Sequence, residues 1–273
     1  MISYKEKYHK LISKMEEYAA QDIVIAFSGG VDSSLLLKLA CKAAEKTGKK
    51  VYAVTVHTEL HEMKDVEIAK KVADESGAIH MVIHMNELQD AGIENNPVDR
   101  CYLCKKYLFS ELKKLAFNMG ITTILEGTNE DDLHVYRPGI KALGELEIIS
   151  PLADSQMTKE DVRKMASDYR ISVANRPSAP CLATRFPYGT KLSYDLMERV
   201  ERGETYIKAM GFYNVRIRVH GDIARIEVDE DSLEKFIQKR KEITSYLKNL
   251  GFVYITVDLE GFRSGSMDLN LVF

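Results

Sequence analysis

An apolar strand, Ile23 to Phe27, runs into Ser28-Gly29-Gly30-Val31-Asp32-Ser33-Ser34 and then into a Leu-rich helix, and this junction constrains the fold more than any other stretch. It places small residues where the chain must turn tightly and expose its amides. Glycines let the backbone approach a phosphate closely. The hydroxyls of Ser28, Ser33 and Ser34 add donors, and the helix N-terminus adds its positive dipole end. Asp32 can orient the loop or help hold Mg²⁺. The GxxxxGK form followed by Ser or Thr is absent, which disfavours enzymes that transfer or hydrolyse a γ-phosphoryl group. The competing interpretation is an ordinary Ser/Gly-rich turn with Asp32 as a helix cap.

Around this junction, β-branched runs alternate with helical patterns. The spacing predicts helices over 3–20, 33–47, 64–76 and 101–119, and strands over 51–56, 79–83 and 122–125. Strands separated by such helices imply a parallel sheet with right-handed crossovers, that is, an α/β nucleotide-binding domain. Pro177, Pro180 and Pro187 mark 174–190 as a loop and a domain boundary. A helix over 193–210, strands over 215–219 and 224–228, a helix over 232–247 and a strand over 253–259 then predict a smaller α+β domain. The expected division is 1–189 and 190–273.

The 38 basic and 41 acidic residues leave a net charge of -3, which argues against a dedicated nucleic-acid binder. The charged N-terminus has no signal-peptide core, and no stretch approaches the roughly 18 apolar residues of a spanning helix. These features predict a soluble, cytoplasmic protein without a membrane partner. Four cysteines in such a chain favour thiol, metal or catalytic roles over disulfides. Cys41 lies within an apolar helical pattern and reads as an inert packed thiol. Cys101 and Cys104 form a C-x-x-C turn opening a helix, and Cys181 lies in the proline-rich loop. These three can pack, bind zinc with a fourth ligand, or hold a 4Fe-4S cluster with one open iron, the last matching three thiolates and a vacancy.

The Ser28–Ser33 loop resembles that of the PP-loop, or N-type, ATP pyrophosphatases, whose fold is an adenine nucleotide alpha hydrolase-like parallel sheet. By that resemblance it binds the pyrophosphate released when a substrate attacks the α-phosphorus of ATP, with adenine against the Ala26 strand and Ala53 to His57. The segments NPVDRCYLCK (96–105), EGTNEDD (126–132), RPG (137–139), PCLATRFPYG (180–189) and VRIRVHGD with ARIEV (215–228) together look like the LarE family. LarE proteins are pyridinium-3,5-biscarboxylic acid mononucleotide sulfurtransferases that help make the nickel-pincer nucleotide cofactor of lactate racemase.

The resemblance implies that Cys181 matches a cysteine that one subtype sacrifices as its own sulfur donor. The full set Cys101, Cys104 and Cys181 instead looks like the subtype thought to hold a [4Fe-4S] cluster carrying an extra sulfide. It also implies ATP and Mg²⁺ as cofactors, with Asp32, Asp131 and Asp132 as candidate ligands, the last two otherwise reading as a solvated helix start. An anionic mononucleotide substrate needs fixed positive charge. Arg216 and Arg218, on one face of a predicted strand, can fork onto its phosphate. Glu204 matches a family position linked to the active site. Arg185 can act on the Cys181 thiol, contact the adenylate, or anchor the loop. The implied partners are a homo-oligomer, a sulfur donor and a downstream nickel-insertion protein. The alternatives are a PP-loop tRNA thiolase with similar sulfur chemistry, an amide-forming adenylating ligase, and a non-catalytic nucleotide-binding module.

Overall fold

The computed structural model describes residues 2–58, 60, 63–177, 180–263 and 266. Two compact units emerge: Met1–Ile93 with Asp99–Ala179, and Glu94–Val98 with Pro180–Phe273. The Cys181 loop therefore belongs to the C-terminal unit, into which residues 94–98 reach back. The cause is local. Asn96, fully buried in a left-handed backbone conformation (φ 48°) that Asn tolerates well, donates from Nδ2 to the carbonyls of Phe186 (3.1 Å) and Pro187 (2.8 Å). Its own carbonyl accepts from the Gly189 amide at 3.0 Å.

The first unit runs α1 (Tyr4–Tyr18), β1 (Ile23–Ala26), α2 (Val31–Ala44), β2 (Val51–His57), α3 (Met63–Ser76), β3 (Ile79–His84), α4 (Glu87–Asp90), α5 (Arg100–Asn118), β4 (Ile124–Leu125), α6 (Gly139–Glu145), α7 (Pro151–Asp154) and α8 (Lys159–Asp168). Its sheet is wholly parallel in the order β3-β2-β1-β4. Alternation sorts the strand residues into two cores. Ile23, Ile25, Val51 and Ala53 pack with α1, α2, α3 and α8, whereas Val24 and Val54 pack with Leu112 and Ala116 of α5. Because β2 and β4 flank β1 on opposite sides, the order reverses beside β1. In open α/β sheets, ligands bind outside the carboxyl ends of strands at such a reversal. The Ser28–Ser34 loop leaves β1 at that point.

The second unit continues with α9 (Tyr194–Ala209), β5 (Val215–His220), β6 (Ile223–Val228), α10 (Leu233–Gln238), α11 (Arg240–Asn249) and β7 (Tyr254–Val257). β5 pairs antiparallel with β6, and β6 parallel with β7. Val215, Ile217 and Val219 alternate with Arg216 and Arg218 along β5, so one face is apolar and the other charged. Gly203 of α9 fits the apolar face: a Cβ there would lie 2.6 Å from Ile217 Cδ1 and 2.8 Å from Leu247 Cδ2.

The helix expected over 232–247 is two helices interrupted at Lys239, whose ψ of 5° is not helical; no glycine or proline marks the break. The strand expected over 122–125 shrinks to Ile124–Leu125, after which the edge continues through a bridge to Ile149. Helices α6, α7 and α8 fall where no sequence assignment was made. The start of α8 does carry a capping box, Thr158 with Asp161.

Candidate functional site

In the first unit, Gly29 takes φ +68°, which favours glycine, and a Cβ on it would lie 3.0 Å from Ala69 Cα. The Ser28 and Ser33 hydroxyls knit the loop together at 3.2 Å. Ser28 Oγ also accepts from the Gly30 amide at 3.3 Å, and Ser33 Oγ donates to the Gly30 carbonyl at 3.2 Å. Gly30 is the extended residue before α2, so the first amides of α2 have no acceptor within their own helix. The loop thus offers amides and a dipole to an anion, with its hydroxyls holding the shape. Ser34 is fully buried, so its hydroxyl presents no surface to a phosphate.

The chain leaving β4 closes over this cradle. A Cβ on Gly127 would lie 3.0 Å from Ser33 N and 3.1 Å from Asp32 Cβ. Asn129 Nδ2 donates to Asp32 Oδ1 at 3.1 Å, and Lys159 Nζ pairs with Asp32 Oδ2. Asp131 accepts from the Lys159 amide (2.8 Å). Asp132 accepts from the Asn129 amide (3.2 Å) and pairs with Arg137 (2.9 Å). The three acidic candidates therefore stand in one network, each already holding a protein donor. Neither Asn129 nor Lys159 was singled out from sequence; the Thr158-x-x-Asp161 capping box was the available signal for the helix that presents Lys159.

Cys101 and Cys104 are the second and fifth residues of α5, exposed and half-buried respectively. Their neighbour Lys105 reaches 3.9 Å from Glu126, the buried residue preceding Gly127. Glu126 accepts from the Thr128 amide (2.9 Å) and hydroxyl (2.8 Å) and from Ser150 Oγ (2.5 Å). The C-x-x-C turn therefore lies on the same edge of this unit as the cradle. Cys41 is different: it is buried in α2, and burial pushes its thiol up to about 11. Native protein treated with iodoacetamide at neutral pH is expected to be modified at Cys101, Cys104 and Cys181 before Cys41. Peptide mass mapping checks this, and early loss of the Cys41 thiol would contradict it.

In the second unit, Cys181 precedes a short 3-10 turn, Leu182–Arg185. Arg185, only 1% exposed, donates to the carbonyls of Pro180 (2.9 Å) and Cys181 (3.2 Å). Its other nitrogens fork onto Glu204, Nε to Oε1 and Nη2 to Oε2, both at 2.9 Å. Glu204 Oε1 also accepts from the Ile217 amide at 2.9 Å. Together these bonds tie the Cys181 turn to α9 and β5.

The charged face of the small sheet carries more than the two expected arginines. Arg218 donates to Glu227 Oε2 (3.0 and 3.1 Å) and to the Thr184 carbonyl (2.9 Å). Arg216 stacks its guanidinium 5.2 Å from the centroid of the Phe262 ring. Arg225 pairs with Glu227 (3.3 Å) and Asp258 (2.5 Å), and Arg263 with Asp258 (3.2 Å). These two arginines were not anticipated; Arg225 stands directly opposite Arg218 in the β5–β6 register. His220 ends the row. Desolvation, then Arg225 and Arg218, lower its pKa, so it tends to stay neutral. The four guanidiniums thus share this face with the carboxylates of Glu227 and Asp258. Within either unit, among the described residues, no three of His, Cys, Asp and Glu are grouped as a metal-ion site.

Residues 3–135 match the family described as PP-loop domain. With the cradle at the sheet reversal, this defines the chain as a PP-loop ATP-using protein. Across nearly its whole length it is similar to pyridinium-3,5-bisthiocarboxylic acid mononucleotide synthase of Lactiplantibacillus plantarum, at 38% identity over 92% of this chain and 90% of that one. An uncharacterised Synechocystis protein is 36% identical over 90% of this chain and 91% of its own. The tRNA-specific 2-thiouridylase of Rickettsia bellii matches less, at 26% identity over 58% of this chain and 52% of its own. The chain belongs to the LarE family, and it is an ATP-dependent, sulfur-transferring enzyme. No described helix is long and apolar enough to cross a membrane.

Proposed function

We propose that this enzyme adenylates a carboxylate of pyridinium-3,5-biscarboxylic acid mononucleotide and converts it to a thiocarboxylate, in the synthesis of the nickel-pincer nucleotide used by lactate racemase. The observation that supports the proposal is a glycine- and serine-rich loop with free helix-start amides at the sheet reversal, in a chain that aligns over 92% of its length with a synthase named for the bisthiocarboxylic product. A substrate carboxylate oxygen attacks the α-phosphorus, the bond to the β,γ-pyrophosphate breaks, and the cradle takes up the leaving group. The acyl carbon is then electrophilic. A sulfur nucleophile displaces AMP, which departs with the former carboxylate oxygen. The guanidiniums of Arg216 and Arg218 take the substrate phosphate, and the Arg185–Glu204 pair holds Cys181 in place.

The sulfur chemistry calls for accessible thiols. Cys101 is exposed and Cys104 and Cys181 half-buried, and none is in a disulfide. They are the residues proposed to hold a [4Fe-4S] cluster, which, when bound, supplies the transferred sulfide. Asp32, with Asp131 and Asp132, supplies the hard oxygen ligands that Mg²⁺ prefers. A homo-oligomer, a sulfur donor and a nickel-insertion protein complete the proposed setting. The more distant thiouridylase match gives a tRNA substrate less support.

Labelling the substrate carboxylates with oxygen-18 tests the acyl-adenylate. Released AMP is expected to carry the label, whereas unlabelled AMP would mean that water, not the carboxylate, attacks ATP.

A further inference from the structure

We infer that the open edge of the small sheet is a docking site for an extended, acidic segment of a partner protein, independently of the reaction proposed above. β7 ends the sheet order β5-β6-β7, so one of its edges pairs with β6 and the other carries no strand among the described residues. The Tyr254 and Asp258 amides donate to the carbonyls of Asp222 (3.0 Å) and Ile226 (2.8 Å). Alternation along the strand then turns the amides and carbonyls of Ile255 and Val257 to the open edge. Proteins blunt such edges with charges, prolines or bulges. The stretch Val253-Tyr254-Ile255-Thr256-Val257 has neither charge nor proline, and Val253 and Tyr254 are 50% and 61% exposed. An apolar edge of this kind is a template for one more strand.

Beside this edge, α10, α11 and β7 enclose an open groove of about 630 Å³. Phe236, Ile243, Ile255 and Val257 give it an apolar lining, and Ile237 on its margin is 45% exposed. Arg240, Lys241 and Lys248 complete the lining, and no described residue in it is acidic. Arg240 and Lys248 donate to neutral groups, the carbonyls of Ile237 (3.1 Å) and Val253 (3.3 Å). Glu242, the carboxylate next to Lys241, accepts from Tyr206 of α9 at 3.0 Å. Three cations without a carboxylate among the lining residues select an acidic occupant, and the open strand edge selects an extended one. Apolar side chains of that segment enter the groove over Phe236 and Val257, and its carboxylates meet the three cations.

Fluorescence anisotropy of the full-length protein with two labelled peptides tests this, one alternating valine with glutamate and the other valine with lysine. The glutamate peptide is expected to bind about tenfold or more tightly than the lysine peptide, and to lose about tenfold in affinity in the Lys241→Glu/Lys248→Glu variant, whose two positions are exposed. With the glutamate peptide bound, hydrogen exchange read by NMR should slow about tenfold at the Ile255 and Val257 amides, a change that charge attraction alone does not produce. Failure of the glutamate peptide to bind, equal binding of the two peptides, or unchanged exchange at both amides overturns the inference. Amides already protected in a dimeric, peptide-free protein overturn it in favour of a second copy of this chain on the edge.

Discussion

Gly127→Ala is expected to lower kcat/KM for ATP about 100-fold, read as substrate-dependent pyrophosphate release, in a protein that still folds. The new methyl group would lie 3.0 Å from Ser33 N, 3.1 Å from Asp32 Cβ and 3.3 Å from Asp32 C. These atoms belong to the start of α2 and have no flexible end that can swing aside. Either α2 or the chain after β4 must move, and a displacement near 1 Å at a reacting group is enough for a loss of about 100-fold. The position is not in the left-handed region, so alanine adds no backbone strain and the damage stays at the cradle. Activity within about threefold of wild type would show that the close approach of Gly127 is unimportant.

Glu204→Ala is expected to destabilise the second unit by about 3–5 kcal/mol, because it strands the Arg185 guanidinium, 1% exposed, without its counter-charge. The Ile217 amide loses its acceptor in the same step. In a unit of this size the melting midpoint should fall by more than about 10 °C. Below that midpoint the Cys181 turn loses the fork that fixes it, so thiocarboxylate formation should fall further than pyrophosphate release. Glu204→Gln can still accept from the Ile217 amide and should cost less. A loss below about 1 kcal/mol for the alanine variant would show that the pair does not organise this unit.

Much of this was legible before the structure, for reasons that differ by residue. The Ser28–Ser34 loop announces itself because glycine and serine between a strand and a helix have few other uses. Strands β1 to β3 and helices α1 to α3 and α5 follow from apolar, β-branched strand runs alternating with helical periodicity. The region 139–168 was not legible as helix. α6 and α7 are too short for a strong period, and β4 is two residues long because its edge passes to Ile149. The Lys159–Asp32 pair joins residues 127 positions apart, a separation that local pattern does not encode. Glu204 was identified through family resemblance and Arg185 through its closeness to Cys181 in sequence, yet only the structure shows them bonded to each other. Arg225 became visible through the β5–β6 register, which one strand's sequence cannot supply.

The most direct measurement is an anaerobic reaction of purified enzyme with ATP, Mg²⁺ and pyridinium-3,5-biscarboxylic acid mononucleotide, following pyrophosphate and, by mass spectrometry, the thiocarboxylate product. For the wild type, pyrophosphate should depend on the substrate, with product in which sulfur replaces a carboxylate oxygen. Cys181→Ala should still release pyrophosphate but make no thiocarboxylate. Equal pyrophosphate release with and without the mononucleotide, or product formation undiminished in Cys181→Ala, would contradict an adenylating sulfurtransferase built around this cradle and this cysteine.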